Sequence, residues 1–305
     1  MASRRLDIPR GVKVPLEQFL ARELPNVTPA RVSQLLAEGR VRVNGKVARA
    51  GRRTWGGETV ELELPAPPPP RAVVGPPIPT LTEAPGVLIV DKPAGVTTTP
   101  EPGQVSLIEL VAAQRGGFDV GGAALPGVVH RLDKDTSGCL ALATTDDGVR
   151  ALEAAFDARR VEKRYLAFVR GQPADTGALD TPYTKGPDGR YTTRLDSPRR
   201  ARLSWRVVER FADTALLEID LDTGRTHQIR VQLSETGHAV LGDTRYGPPG
   251  QPEAPRLALH ARSLRLDLDG GTLVAEAPLP GDLTALAERL RTAAGKPERA
   301  DGSAP

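Results

Sequence analysis

Apolar positions near the start of the chain twice fall at helical spacing. Leu16, Phe19, Leu20 and Leu24 mark an amphipathic helix over 15–24, and Val32, Leu35 and Leu36 a second over 29–38. Each opens on a proline suited to a first turn, and Gly39 stops the second. The period then shortens. Val41-Arg42-Val43 alternates into Asn44-Gly45, the strongest short hairpin signal, and 58–64 alternates again. Residues 65–79 are proline-rich and carry almost no core-forming pattern, which predicts an extended, semi-rigid linker between two domains.

Past the linker, 87–91 is a short buried strand that runs into the turn Lys92-Pro93-Ala94-Gly95. A helix over 106–114, an apolar strand opening at Cys139, a helix over 146–158 and a strand over 165–169 follow. Residues 171–198 read as an irregular excursion with short strands, and 201–209 with 215–222 as an antiparallel pair. A helix over 226–236 is capped by Gly237, strands cover 257–268 and 272–276, and a helix over 283–293 closes the pattern. The division predicted is therefore 1–64, a linker 65–79, a large domain 80–293 and a disordered tail 294–305.

Composition narrows the classes. At 305 residues with 39% apolar content the chain can fill two cores, while no apolar run reaches the roughly 18 residues of a membrane span and no secretory h-region opens it. A soluble cytoplasmic protein without membrane contact is expected, and a monomer. Cys139 is the single cysteine, which excludes an internal disulfide and a thiolate zinc site, and it reads as a small buried residue. Four scattered histidines give no metal-ligand spacing, so no metal is expected. The bases are 34 Arg against 7 Lys, and residues 1–64 hold an excess of five positive charges, enough for a small segment to face a polyanion.

The densest chemistry lies in His130-Arg131-Leu132-Asp133-Lys134-Asp135-Thr136-Ser137-Gly138, a polar block between a Gly-Val-Val run and the Cys139 strand. It reads as a loop held by two buried strands, where catalytic side chains tend to sit. An ordinary aspartate needs no activating base to attack an electrophilic sugar carbon, so Asp133 is the candidate nucleophile or acid/base, provided a cation holds its charge in a desolvated pocket. Arg230, in the first turns of the 226–236 helix, is the better candidate for that cation than Arg131 or Lys134, because a guanidinium can grip a carboxylate and keep donors for a substrate. Spacing alone leaves a purely structural pair open, and it does not mark His130 or His227 as a general base.

Two helices followed by a basic hairpin resemble the S4 RNA-binding module, with Arg31, Arg40, Arg42 and Lys46 on the contact side. The 130–138 string resembles the signature of the RluA-type pseudouridine synthases. So do Asp91-Lys92-Pro93-Ala94-Gly95, Lys163-Arg164-Tyr165, the run Thr223 to Arg230, the run Gly237 to Asp243, and Leu259-His260-Ala261, all in the family's order. The resemblance implies an α+β fold: a small helical and hairpin domain, plus a large domain on a mixed, mostly antiparallel sheet with a central cleft. It implies a cofactor-independent isomerase that cleaves the N1 glycosidic bond of uridine in RNA and rejoins the base through C5. Asp133 matches the catalytic aspartate, Tyr165 the tyrosine that packs on the target base, and Arg230 the arginine paired with the aspartate. Arg131 matches the arginine inserted where the uridine has left, and Lys92, Arg225 and His227 fall among the expected RNA contacts. Structured RNA is the implied partner, 23S rRNA ahead of tRNA, and a non-catalytic ribosome-assembly protein is the alternative. The chain departs from the family at Leu203, where a threonine is common, which bears on RNA docking, and at Asp91, where asparagine is common.

Overall fold

The computed structural model describes residues 2–24, 29–64, 73–118, 120–121, 125–249 and 254–294. The N-terminal part runs β1 (Ala2–Asp7), α1 (Leu16–Glu23), α2 (Pro29–Ala37), β2 (Val41–Val43), β3 (Lys46–Val47) and β4 (Thr59–Leu64). Every apolar position that sets the helical spacing is buried, and Leu16, Phe19, Leu20, Leu24, Val32, Leu35 and Leu36 pack with Val41, Val43, Val60 and Leu62 in one core. The turn at Asn44-Gly45 takes left-handed φ at both residues, +50° and +77°, as a tight right-twisted hairpin requires. Asn44 also accepts from the Thr59 amide at 2.9 Å, so the hairpin is tied to β4. The sequence pattern does not reveal β1. Its Arg-rich stretch pairs with β4 along its whole length, and backbone pairing rather than alternation makes it a strand.

The large domain continues with β5 (Thr80–Ala84), β6 (Val87–Lys92), α3 (Leu107–Arg115), β7 (Ser137–Ala143), α4 (Asp146–Asp157), β8 (Val161–Arg170) and β9 (Thr176–Pro182). It is completed by β10 (Thr184–Lys185), β11 (Tyr191–Thr192), β12 (Arg200–Arg210), β13 (Thr214–Leu221), α5 (Gln228–Glu235), β14 (Leu259–Leu268), β15 (Gly271–Glu276) and α6 (Gly281–Ala294). Nine strands form one sheet in the order β5-β6-β7-β14-β8-β13-β12-β9, with β15 paired to β14. Among the described strands of this sheet, β7 and β14 are the one parallel pair. Helix α3 opens on a capping box between Ser106 and Glu109 and stops at left-handed Gly116.

Three expectations change. The Gly-Val-Val run before the polar block is not a strand: it meets β7 only at Gly127 and Ala143. The amide of Ala141, which a neighbouring strand would bond, instead donates to Nε2 of His130 at 2.9 Å, so a side chain takes the place of a strand on that edge. The end of the linker is not free of the core either. Ile78 is buried against α3, its amide bonded to Gln114 at 3.2 Å. The excursion 171–198 contains a seven-residue edge strand, β9, and the small β10–β11 hairpin beside α5. The expectations for 65–72 and for most of the tail fall outside the described residues.

Candidate active site

A cavity of about 450 Å³ lies where the 129–136 loop, the end of α4, the start of β8 and the turn from β13 into α5 meet. That volume is within the roughly 300–1,000 Å³ usual for small-molecule sites. Asp133 and Tyr165 line it, with Arg230, His227, Arg225 and Arg131. These residues come from segments up to a hundred positions apart, and pairing of β8 with β13 and of β7 with β14 brings them together.

The loop that carries Asp133 is fixed from both sides. Oγ1 of Thr98 accepts from the Leu132 amide at 3.3 Å and donates to its carbonyl at 3.0 Å, and the Thr136 amide closes a turn on the Asp133 carbonyl at 3.1 Å. On the exit side, Nδ1 of His260 accepts from the Ser137 hydroxyl at 2.9 Å while its Nε2 donates to the Ala277 carbonyl at 3.2 Å. Arg256 spans the same region, reaching the Asp135 carbonyl, the Ser137 hydroxyl and the Asp282 carboxylate. Gly138 cannot be replaced without cost: a Cβ there would stand 2.2 Å from the Ala261 carbonyl oxygen, on the parallel seam between β7 and β14.

Arg230 donates from Nη1 to Oδ2 of Asp133 at 2.9 Å. Its other two nitrogens are engaged elsewhere. Nε and Nη2 bond both oxygens of Asp243 at 2.7 and 2.9 Å, and the Asp243 side chain is 1% exposed. Asp243 in turn accepts from the amides of Arg245 and Tyr246. Burial disfavours both charges, but the bonds between them outweigh it, so the Arg230 pKa is raised and that of Asp243 lowered. The fork is thereby aimed, with one arm at Asp133. The other oxygen of Asp133 stands 3.8 Å from Nε2 of His227, whose Nδ1 bonds the Tyr246 hydroxyl at 2.9 Å. Burial lowers the His227 pKa, so the ring is neutral at pH 7 and faces the carboxylate as a dipole. Burial first, and then the charge of Asp133, raise the Tyr165 pKa, so its hydroxyl stays protonated.

The turn 222–228 is built around Gln228, which is buried. Its carbonyl oxygen accepts from the Thr223 hydroxyl at 2.7 Å and the Arg225 amide at 3.1 Å, and its Nε2 donates to the Arg202 carbonyl at 3.0 Å. His227 sits at the entry to α5 with φ of +59°, a left-handed conformation uncommon for a residue other than glycine.

The residues expected to touch RNA divide. Arg131 and Arg225 are exposed at the cavity, joined there by Arg159 and Lys163, which the sequence reading left without a role. Lys92 is a correction. It is 0% exposed, with Nζ donating to the carbonyls of Pro93, Val96 and Lys134 at 2.9, 2.7 and 2.9 Å, so it straps two loops together and cannot reach a ligand. Burial pushes its pKa down to about 7, against the charges of Asp135 and Asp133. In the N-terminal domain Arg42 and Lys46 are exposed on the β2–β3 hairpin, Arg40 is paired with Glu38 at 2.8 Å, and the side chain of Arg31 lies outside the described residues. Leu203 is buried in the core of the large domain, so the missing threonine leaves no gap on a contact surface. His130, packed on Phe156 and pushed down to about 3 by burial, is structural, and burial lifts the Cys139 thiol to about 11, which leaves it inert. No group of three or more potential metal ligands occurs among the described residues.

Asp243, Arg256 and Tyr246 were missed as site residues. Asp243 stands in a quoted motif, but a carboxylate thirteen positions after Arg230 gives no sign of folding back on it.

Comparison with known proteins places these features in a family. Residues 86–235 match the RNA pseudouridylate synthase model and 14–58 the S4 domain model. An uncharacterized RNA pseudouridine synthase of Chloroflexus aurantiacus is 37% identical over 293 residues, covering 90% of both chains. Ribosomal large subunit pseudouridine synthase D of Nitrosomonas europaea is 35% identical, covering 90% of this chain and 84% of its own. The solved structure of human RNA pseudouridylate synthase domain containing 4 superposes with a TM-score of 0.56 at 26% identity, covering 70% of this chain and 92% of the human one. The aimed guanidinium, the buried tyrosine and the S4 fold thus sit in a chain that belongs to the RNA pseudouridine synthase family.

Proposed function

We propose that this chain converts specific uridines of 23S rRNA to pseudouridine, with Asp133 as the catalytic carboxylate, Arg230 as its cationic partner and Tyr165 as the ring against which the target base packs. The observation that carries the reading is the line Asp243–Arg230–Asp133 beside a cavity that holds a protonated tyrosine. Such a site suits a reaction in which the bond from N1 to C1′ breaks with its electron pair going to the base. The base turns, C5 bonds C1′, and the proton lost from C5 is balanced by one gained at N1. A carboxylate beside C1′ either bonds the electron-deficient carbon or stabilises its charge, and the fixed guanidinium of Arg230 holds that carboxylate in position. A base that must rotate has to leave the stack first. To Arg131, exposed at the cavity, we assign the space it vacates, and to Arg159, Lys163 and Arg225, which also line the cavity, the neighbouring phosphates.

The S4 domain and the relatives with large-subunit names support rRNA over tRNA, and the cytoplasm as the place of action. The test is to incubate the protein with 23S rRNA and with bulk tRNA, then map pseudouridine by carbodiimide block and mass spectrometry, with Asp133→Asn in parallel. New modification of 23S rRNA that the variant does not make is the expected result. Modification confined to tRNA would move the target, and RNA bound but unaltered by the parent would remove the catalytic reading.

A further inference from the structure

Trp55 is the large aromatic side chain that the N-terminal domain leaves outside its core, 54% exposed, with the Nζ of Lys13 4.1 Å from its ring centroid. Its backbone is held on every side. Thr54 is wholly buried, bonding Val14 through its hydroxyl in both directions at 3.2 and 2.8 Å. The Trp55 amide donates to Glu58 at 2.9 Å, and Glu58 is itself gripped by Arg52 through two bonds of 3.0 and 2.6 Å. Gly56 sits so close to the 9–11 segment that a Cβ would meet the Arg10 Cα at 2.8 Å. The fixed loop presents the indole to solvent beside Lys13, with Arg10 and Arg53 also exposed on the neighbouring segments.

From this juxtaposition we infer that Trp55 and Lys13 form a stacking platform for an unpaired base of the RNA, the ammonium being placed to meet the adjoining phosphate. The inference rests on the reading of this chain as one that acts on RNA. An indole offers a π-face to any base, and a neighbouring cation adds attraction for the backbone, the combination that non-sequence-specific single-strand binding uses.

The test uses the full chain carrying Trp205→Phe, so that Trp55 is its one indole, titrated with a mixed-sequence single-stranded RNA, a blunt RNA duplex and heparin. Single-stranded RNA is expected to quench the indole, whereas duplex and heparin leave its emission unchanged. Trp55→Ala should weaken single-strand affinity about tenfold, the order of one base–aromatic stack, and Trp55→Phe should restore most of it. Unaltered affinity in Trp55→Ala, or equal quenching by heparin or duplex, overturns the platform. Isomerisation is scored separately on rRNA. A parent that never modifies RNA but shows the selective quench refutes the catalytic reading and leaves the platform standing, while an active parent with indifferent Trp55→Ala affinity does the reverse.

Discussion

Arg230 is held by its partner on the far side from Asp133, so the geometry of the candidate nucleophile depends on a carboxylate that lines no part of the cavity. Asp243→Asn keeps the volume but leaves one acceptor oxygen for two guanidinium donors. Freed to turn, Arg230 no longer fixes Asp133, and a misplacement of that kind costs about 100-fold in rate. The expected outcome is a fall of that order in kcat with KM little changed, measured under single- and multiple-turnover conditions. A variant with parental kcat would show that Asp243 serves stability alone. The buried histidines that brace the loop, His130 within it and His260 on β14, make a second prediction. Burial puts His260 at about 4 and His130 at about 3, both below the roughly 6.5 of an unfolded chain. Because the neutral forms are native, the unfolded state binds more protons as pH falls below 6.5. Stability therefore drops through that window and on down toward the folded values. Between pH 6.5 and 5 each histidine removes roughly 1.5 kcal/mol, because the slope of about 1.36 kcal/mol per pH unit is reached only well below the unfolded pKa. Urea denaturation at the two pH values should register the loss, and His260→Gln should remove about half of it. An unchanged midpoint would mean that both rings are solvated in the native state.

At the scale of elements, the strand β7 decides where the site can be. It leads directly out of the Asp133 loop, is buried along its whole length, and is the strand through which the antiparallel β6 side joins the rest of the sheet. Gly138→Ala would drive a methyl group into the β14 backbone, and separation of the seam should cost more than about 3 kcal/mol, read as a large drop in thermal midpoint or as insoluble protein. Helices α1, α2 and α4 were legible because one apolar face at 3.6-residue spacing is a local property, and the Asn44-Gly45 hairpin because its two left-handed residues are written in the residue types. Strands β1 and β5 were not. Both are edge strands with mixed or exposed faces, and their only determinant is the partner they bond. The Gly-Val-Val run misled for the opposite reason: it is apolar enough for a strand, but the edge of β7 it would need is already served by β14 and by the ring of His130.

At the scale of the whole molecule, the RNA contacts proposed for the N-terminal domain make a prediction about salt dependence. If Arg40, Arg42 and Lys46 neutralise RNA phosphates, changing all three to Glu should weaken rRNA binding. It should also reduce the slope of log affinity against log salt by roughly two to three, since each contact contributes about 0.7–0.9, while kcat at saturating RNA stays near parental. Loss of kcat with an unaltered salt slope would place RNA contact elsewhere. The chain's amino-acid order by itself marked the helices and the two-part organisation, because apolar periodicity is a property of neighbouring residues, and its family-like motifs, through the resemblance they carry, pointed to the α+β fold and to Asp133, Tyr165 and Arg230 as candidates. Tertiary structure alone decided that Lys92 is an internal strap, that Leu203 is core, and that Asp243 aims Arg230. Those outcomes depend on which carbonyls, strands and carboxylates arrive from distant segments; for Lys92 and for Asp243 with Arg230, burial then makes each meeting a fixed bond, because an unpaired charge cannot remain there.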